Sequence, residues 1–209
     1  MGQADRRAHA RLLHRSRFFD FTDGLTNIVP DADERWRVHY DRMDAQFDRA
    51  SHVGDKLTVA RLQVLWEQHP TARFVCIVRD VAEVAASWDR RATTVTDRGW
   101  PESLDARKAV EFWNQHNARI RRAARIRPEQ VAVVEHSSFF GDPDAHALRR
   151  VLAGLDLAVT PEVETAFAAA HARYADVSAQ ERLLSAEAQL FLERHADLRL
   201  WRSLRRLAG

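Results

Sequence analysis

The sequence predicts an α/β fold, a parallel sheet flanked by helices. Three observations predict it. The runs "FVCIV" at 74–78 and "VAVV" at 131–134 are apolar without interruption. The segments that follow them carry apolar residues at helical spacing. Strands alternating with helices leave parallel pairing through helical crossovers as the simplest arrangement. A run apolar at every position further predicts a strand covered on both faces.

Composition sets the class. The chain has 209 residues, enough for one real core, and no Pro/Gly-rich linker divides it. A single domain over 1–209 is therefore expected. Hydrophobic residues make up 45% and charged residues 30%, which is the balance of a globular protein in water. The net charge is only +2, from 32 basic and 30 acidic residues, which argues against bulk nucleic-acid binding and leaves a local basic patch open. Cys76 is the sole cysteine and rules out a disulfide framework. It reads as a small buried hydrophobe. No apolar run approaches a membrane span, and "MGQADRRAHARLLHRSRFF" lacks the apolar core of a signal peptide. Arg6 stands where a myristoylation signal needs Ser or Thr. A cytoplasmic protein with no membrane partner is expected.

The elements follow in order. Residues 3–15 are polar, Arg-rich and helical in pattern, anchored by Leu12 and Leu13. In 31–48, Trp36, Tyr40, Met43 and Phe47 line one helical face. His52 to Gly54 is a candidate short strand. "TVARLQVLWEQHP" predicts a helix capped by Thr58, with Leu62, Leu65 and Trp66 buried and Pro70 as the stop. After strand 73–78, Asp80 caps a helix over 81–92, and Glu83 takes the capping-box position. Its buried face is Val81, Val84, Ala85 and Trp88. A long helix over 104–126 carries Phe112, Trp113 and Ile120. The C-terminal third is helical, punctuated by Pro143, Pro161 and a Ser178-x-x-Glu181 box. "LWRSLRRLAG" reads as a basic amphipathic helix with a solvated face, or as a surface for an anionic partner.

Chemistry concentrates where the first strand ends. Ligands of open α/β sheets bind at the carboxyl ends of strands, and Arg79 sits there. Ser87 lies about two turns into the next helix. An arginine offers a bidentate charge-assisted pair, a serine a neutral bond, and a helix N-terminus a favourable dipole. Together they can hold one phosphate. The same residues also suit a strand-end salt bridge and a serine facing water.

"TARFVCIVRDVAEVAASW" resembles the 3′-phosphate-binding segment of sulfotransferases that use 3′-phosphoadenosine 5′-phosphosulfate. In that family a strand runs into Arg-Asp/Asn-Pro and a helix with serine eight residues after the arginine. Arg79 and Ser87 match in type and spacing; Val81 replaces the proline. "HVGDKLTVARLQVLWEQHPTARF" resembles the family's Gly-x-Lys-Thr/Ser-Pro element, with Lys56 as its lysine. Lys56 is one of two lysines among 32 basic residues, so it departs from the arginine habit of the chain. "AVEFWNQHNARI" resembles the family's Trp-centred helix. "VAVVEHSSFFGDP" is similar to its strand followed by Tyr-Glu-Asp-Leu-x-x-Asp-Pro. Without a gap, His136 replaces the tyrosine and Ser137 and Ser138 the two acids; a shifted alignment keeps Glu135 as the acid.

The resemblance implies a P-loop-NTPase-like sulfotransferase fold, with the phosphosulfate as co-substrate and a small-molecule hydroxyl or amine as acceptor. It implies Arg79 and Ser87 on the 3′-phosphate, with Trp113 and His136 on the nucleotide side. Lys56 would sit near the transferring group, and Asp55 and His52 are the local candidates for general base. The family's Lys/Arg-Ser/Thr-Gly-Thr-Thr loop, which cradles the 5′-phosphosulfate, has no match in the sequence. "FFDFTDGLTN" has a turn glycine but neither the basic residue nor the paired hydroxyls. The strand that normally precedes the loop is missing with it. Three explanations stay open: a start assigned too far downstream, a degenerate member, or a strand supplied by a partner. Slow transfer by this chain alone is expected, and a non-catalytic remnant that binds nucleotide is the competing reading. Self-association through the uncovered strand edge, or cover by 17–22, is a further expectation. No His-x-x-x-His or Cys-x-x-Cys spacing occurs, so no metal site is predicted.

Overall fold

The computed structural model describes residues 34–54, 62–94, 100–177 and 184–209. The chain divides into two compact units, Met1–Ala72 and Arg73–Gly209. In the first unit, α1 (Glu34–Gln46) runs into a 3-10 turn at Phe47–Arg49, and α2 spans Leu62–Gln68. Met43 and Phe47, on the predicted apolar face of α1, are half-buried. Leu62, Leu65 and Trp66 of α2 are buried, as its periodicity requires. Residues 52–54 form no strand, because a lone Val53 between His52 and Gly54 gives no apolar run to pair. Segments 3–15 and 17–22, Thr58, and the Ser178–Glu181 box lie outside the described residues.

The second unit is built on β1 (Phe74–Val78) and β2 (Val131–Glu135). They pair in parallel, from Phe74 opposite Val131 to Val78 opposite Glu135. Two helices connect them, α3 (Val81–Thr93) and α4 (Ala106–Ile126), and these pack along each other. Asp80 caps α3 by accepting from the Ala82 N–H at 2.8 Å. Asp105 caps α4 by accepting from the Lys108 N–H at 2.9 Å. After β2 come α5 (His136–Gly141), α6 (His146–Gly154), α7 (Pro161–Val177), α8 (Ala186–His195) and α9 (Leu198–Ala208). Pro161 opens α7, where a missing N–H costs nothing.

The core lies between β2, α4 and α9. Val78, Val110, Val134, Leu200 and Leu204 are its most enclosed large side chains. The helices seat mainly on β2, and α9 rests on both β2 and α4. This changes the reading of the C-terminal segment. Arg199, Arg202, Arg205 and Arg206 are exposed, but Leu200, Trp201 and Leu204 turn inward and close the core. The helix is a structural cover with a solvated basic back.

β1 also departs from expectation. Cys76 and Val78 are buried, while Val75 and Ile77 are exposed, Ile77 by 53%. The strand therefore alternates and is covered on one face only. Among the described residues the helices pack mainly on β2, and none packs extensively on the Val75–Ile77 face of β1. Among the described residues the sheet has two strands, with β1 paired on one edge. No described helix is long and apolar enough to cross a membrane.

Candidate functional site at the strand ends

The carboxyl end of β1 turns into α3 within two residues, Arg79 and Asp80. No glycine is needed because both residues keep ordinary backbone angles and Asp80 supplies the cap. The turn places Arg79 beside the N-terminus of α3. Its Nε donates to Glu83 Oε2 at 2.9 Å, one turn along the helix. The Glu83 side chain is only 9% exposed and that of Arg79 26%. A carboxylate this enclosed needs a charged partner. The salt-bridge reading of Arg79 is thus realised, and Glu83 serves it from the capping-box position.

Ser87 lies on the same ridge, a further four residues along, and is half-buried. Along α3, Ser87 stands about 6 Å from Glu83. Trp88 beside it enters an aromatic corner. Its ring meets Trp100 edge-on at 5.1 Å and Phe112 at 5.7 Å, and the Arg91 guanidinium lies 3.7 Å over the Trp100 ring.

Trp113 of α4 reaches back to the strand end. It is 5% exposed, and its indole N–H donates to the Arg79 carbonyl at 2.7 Å. The structure thereby joins Arg79 and Trp113 directly, while Ser87 lies eight residues after Arg79, on α3. His136, the first residue of α5, is packed elsewhere. Its ring contacts Phe140 at 5.0 Å and Tyr174 at 5.4 Å. His52 is exposed, with Nδ1 3.1 Å from Ser51 Oγ. Asp55 and Lys56 lie outside the described residues.

β2 ends on Glu135, which is enclosed by its own surroundings. Oε1 accepts from the Ser137 hydroxyl at 3.0 Å and Oε2 from the Ser138 hydroxyl at 3.1 Å. Arg205 of α9 donates to Oε2 at 3.1 Å. Sequence reasoning passed over Glu83 and Arg205 as parts of these strand ends. The i, i+4 spacing of Arg79 and Glu83 was the available signal. For Arg205, which is 70 residues from Glu135, no local signal exists.

Among the described residues, one cluster has metal-ligating groups. Ligand atoms of Asp142, Asp144 and His146 all lie within 4.8 Å of one another. Asp142 is already engaged: its oxygens accept from the N–H groups of Asp144 at 3.0 Å and His146 at 2.8 Å. Desolvation works to raise its pKa, but those bonds and the His146 ring outweigh it and hold the carboxyl below its ordinary value. The arrangement is that of a loop turn before α6.

No curated protein and no solved structure matches this chain. A profile of the sulfotransferase family matches residues 29–161, a stretch holding β1, β2 and the Arg79–Ser87 ridge. With well over half its length matched, the chain belongs to the sulfotransferase family.

Proposed function

We propose that this protein binds the 3′-phosphate of 3′-phosphoadenosine 5′-phosphosulfate at Arg79 and Ser87. On this reading it passes the sulfuryl group to a hydroxyl or amine of a small molecule. The observation that carries the reading is an arginine at the carboxyl end of a parallel strand, beside a capped helix N-terminus, within the family match. Arg79 supplies charge and directional N–H groups, Ser87 a neutral donor, and the first turn of α3 its dipole. A nucleotide so held presents its sulfuryl group to an acceptor oxygen or nitrogen. The acceptor forms a bond to sulfur as the bond to the bridging phosphate oxygen breaks. The family resemblance assigns Lys56 to the charge that develops on the transferring group, and Asp55 or His52 to the acceptor proton. Trp113 serves the nucleotide side through the Arg79 carbonyl; the resemblance also assigns His136 there, but its ring is packed against Phe140 and Tyr174.

A second reading has its own observation: the sequence holds no loop of the basic-hydroxyl-glycine type. Losing one preorganised donor to a leaving group slows an enzyme by about 10²–10³. A member without the loop would keep the 3′ half-site and bind nucleotide without turnover.

Calorimetry tests the half-site directly. Binding of 3′-phosphoadenosine 5′-phosphate should be measurable and tighter than that of adenosine 5′-phosphate. Equal affinities would make the Arg79–Ser87 ridge purely structural. A sulfation assay with the donor and a panel of alcohols and amines separates the two readings. Robust turnover supports the enzyme; nucleotide binding without turnover supports the remnant.

A further inference from the structure

The C-terminal helix α9 begins at Leu198, beyond the 29–161 family match, yet it is linked to both strand ends, to one of them through Trp113. Trp201 meets Trp113 with ring centroids 5.8 Å apart, and Trp113 holds the Arg79 carbonyl. One turn on, Arg205 binds Glu135 at the end of β2. Residues 201 and 205 share a helix face, so a single rigid segment touches the end of β2 directly and is linked to the end of β1 through Trp113. Its entry is also fixed. Asn114, next to Trp113, donates from Nδ2 to the His195 carbonyl at 2.8 Å and accepts the Asp197 N–H at 2.9 Å. Asp197 then caps α9 through the Leu200 N–H at 2.9 Å. At the far end Arg150 donates to the Ala208 carbonyl and to Gly209 O, the latter at 3.0 Å.

We infer that α9 is a positioning element for the anion site: Trp201 braces Trp113, and Trp113 sets the Arg79 peptide from which the guanidinium projects. The inference rests on the proposed 3′-phosphate role of Arg79. Trp113 then serves the nucleotide side from behind, through the backbone of Arg79. Glu83 completes the arrangement by fixing the guanidinium through Nε. The peptide is pinned from α4 and the side chain from α3, so the direction of the cation depends on helix packing well away from the ligand. An anion is best met by groups already oriented for it, because no reorganisation is then required.

The test uses the full chain and two nucleotides, 3′-phosphoadenosine 5′-phosphate and adenosine 5′-phosphate. Trp113→Phe keeps an aromatic ring, though a smaller one, and removes the N–H; Trp201→Ala removes the brace, and Trp201→Phe restores an aromatic contact. Loss of one positioning hydrogen bond should lower the preference for the 3′-phosphate about threefold to tenfold in W113F and W201A. W201F should stay near the native ratio. Hydrogen exchange of the Trp113 indole proton, followed by NMR without nucleotide, should quicken in W201A and return towards native in W201F. Variants that remain folded by circular dichroism but keep the native ratio would overturn the inference. If the native protein shows no preference between the nucleotides, the proposed 3′-phosphate site falls and this role of α9 falls with it. The exchange data then still report whether Trp201 braces Trp113, so the two failures are told apart.

Discussion

At the end of β1 the chain presents Arg79; at the end of β2 it presents Glu135, the register partner of Val78. Both strands pass straight into a helix. Arg79 is tied by a carboxylate one turn up α3 and by an indole on its carbonyl. Glu135 is surrounded by donors: two serine hydroxyls from the first turn of α5, and an arginine from α9. A phosphate brought to the first end meets a helix N-terminus and an arginine whose Nε is held by Glu83. Brought to the second, it meets a carboxylate whose oxygens already accept bonds. On the proposed reading, ligand chemistry falls to the β1 end and joinery to the β2 end.

The largest expected effect comes from removing what links the two ends. Leu204 is 0% exposed beneath α9. Leu204→Ala should cost about 2–5 kcal/mol of unfolding free energy, by lost burial plus a cavity. Leu207, on the exposed side, should change stability by no more than about 0.5 kcal/mol when cut to alanine. Urea titrations of the two variants measure the contrast. Equal small losses would mean that α9 is not the cover of this core.

Next is Arg79→Ala. The preference for a 3′-phosphorylated nucleotide should disappear, a loss on the order of 2–3 kcal/mol for a charge-assisted contact. The variant should also unfold more easily, because Glu83 keeps an enclosed charge without its partner. Adding Glu83→Gln should return part of the stability and none of the preference. Stability and recognition moving together in the double variant would show that Arg79 acts only through the fold.

A smaller effect concerns the strand that carries Arg79. Burial pushes the Cys76 thiol up from 9.0 to about 11. The folded state therefore holds this proton over a pH range in which the unfolded chain has lost it. Stability from this group is complete below the unfolded pKa and is lost as pH rises through 9 towards 11. At pH 10 the loss should be about 1 kcal/mol. Unfolding Cys76→Ala beside the native chain at pH 7.5 and pH 10 isolates the effect from other alkaline groups. The variant should show the shallower pH dependence, and identical slopes would mean that the thiol is not enclosed.

The β1 end was far more legible in the sequence than the β2 end, for a physical reason. Strand, arginine, cap and helix follow one another within 74–93, so local patterning defines them. The same local logic located β2, α2 and α4 to within a few residues. It failed where cover comes from afar. An apolar run cannot say which of its faces a helix will reach, so Val75 and Ile77 were expected inside and lie outside. The Arg-rich tail was read by its exposed charges, whereas its role is set by Trp201 and Leu204 meeting β2 and α4. Glu83 was given to the helix cap because capping is a local rule; its enclosure beside Arg79 is a tertiary fact.

The smallest effect separates the two strand ends most sharply. Glu135 is 11% exposed along its side chain, but its partner Arg205 is 58% exposed, so the pair is open to water on one side. Such pairs contribute about 0–1 kcal/mol. Glu135→Gln removes the charge and keeps an amide oxygen that can still accept from Ser137 or Ser138. Stability should fall by less than about 1 kcal/mol, read as a small shift in melting temperature. The ratio of affinities for the two nucleotides should stay within about twofold of native, a difference of less than half a kcal/mol. That outcome would leave recognition with Arg79 and make Glu135 a fastener for α9. If the ratio instead collapses while the protein stays folded, the β2 end belongs to the nucleotide site. His136, the next residue, would then be the group to vary, and the division between a ligand end and a joinery end would no longer hold.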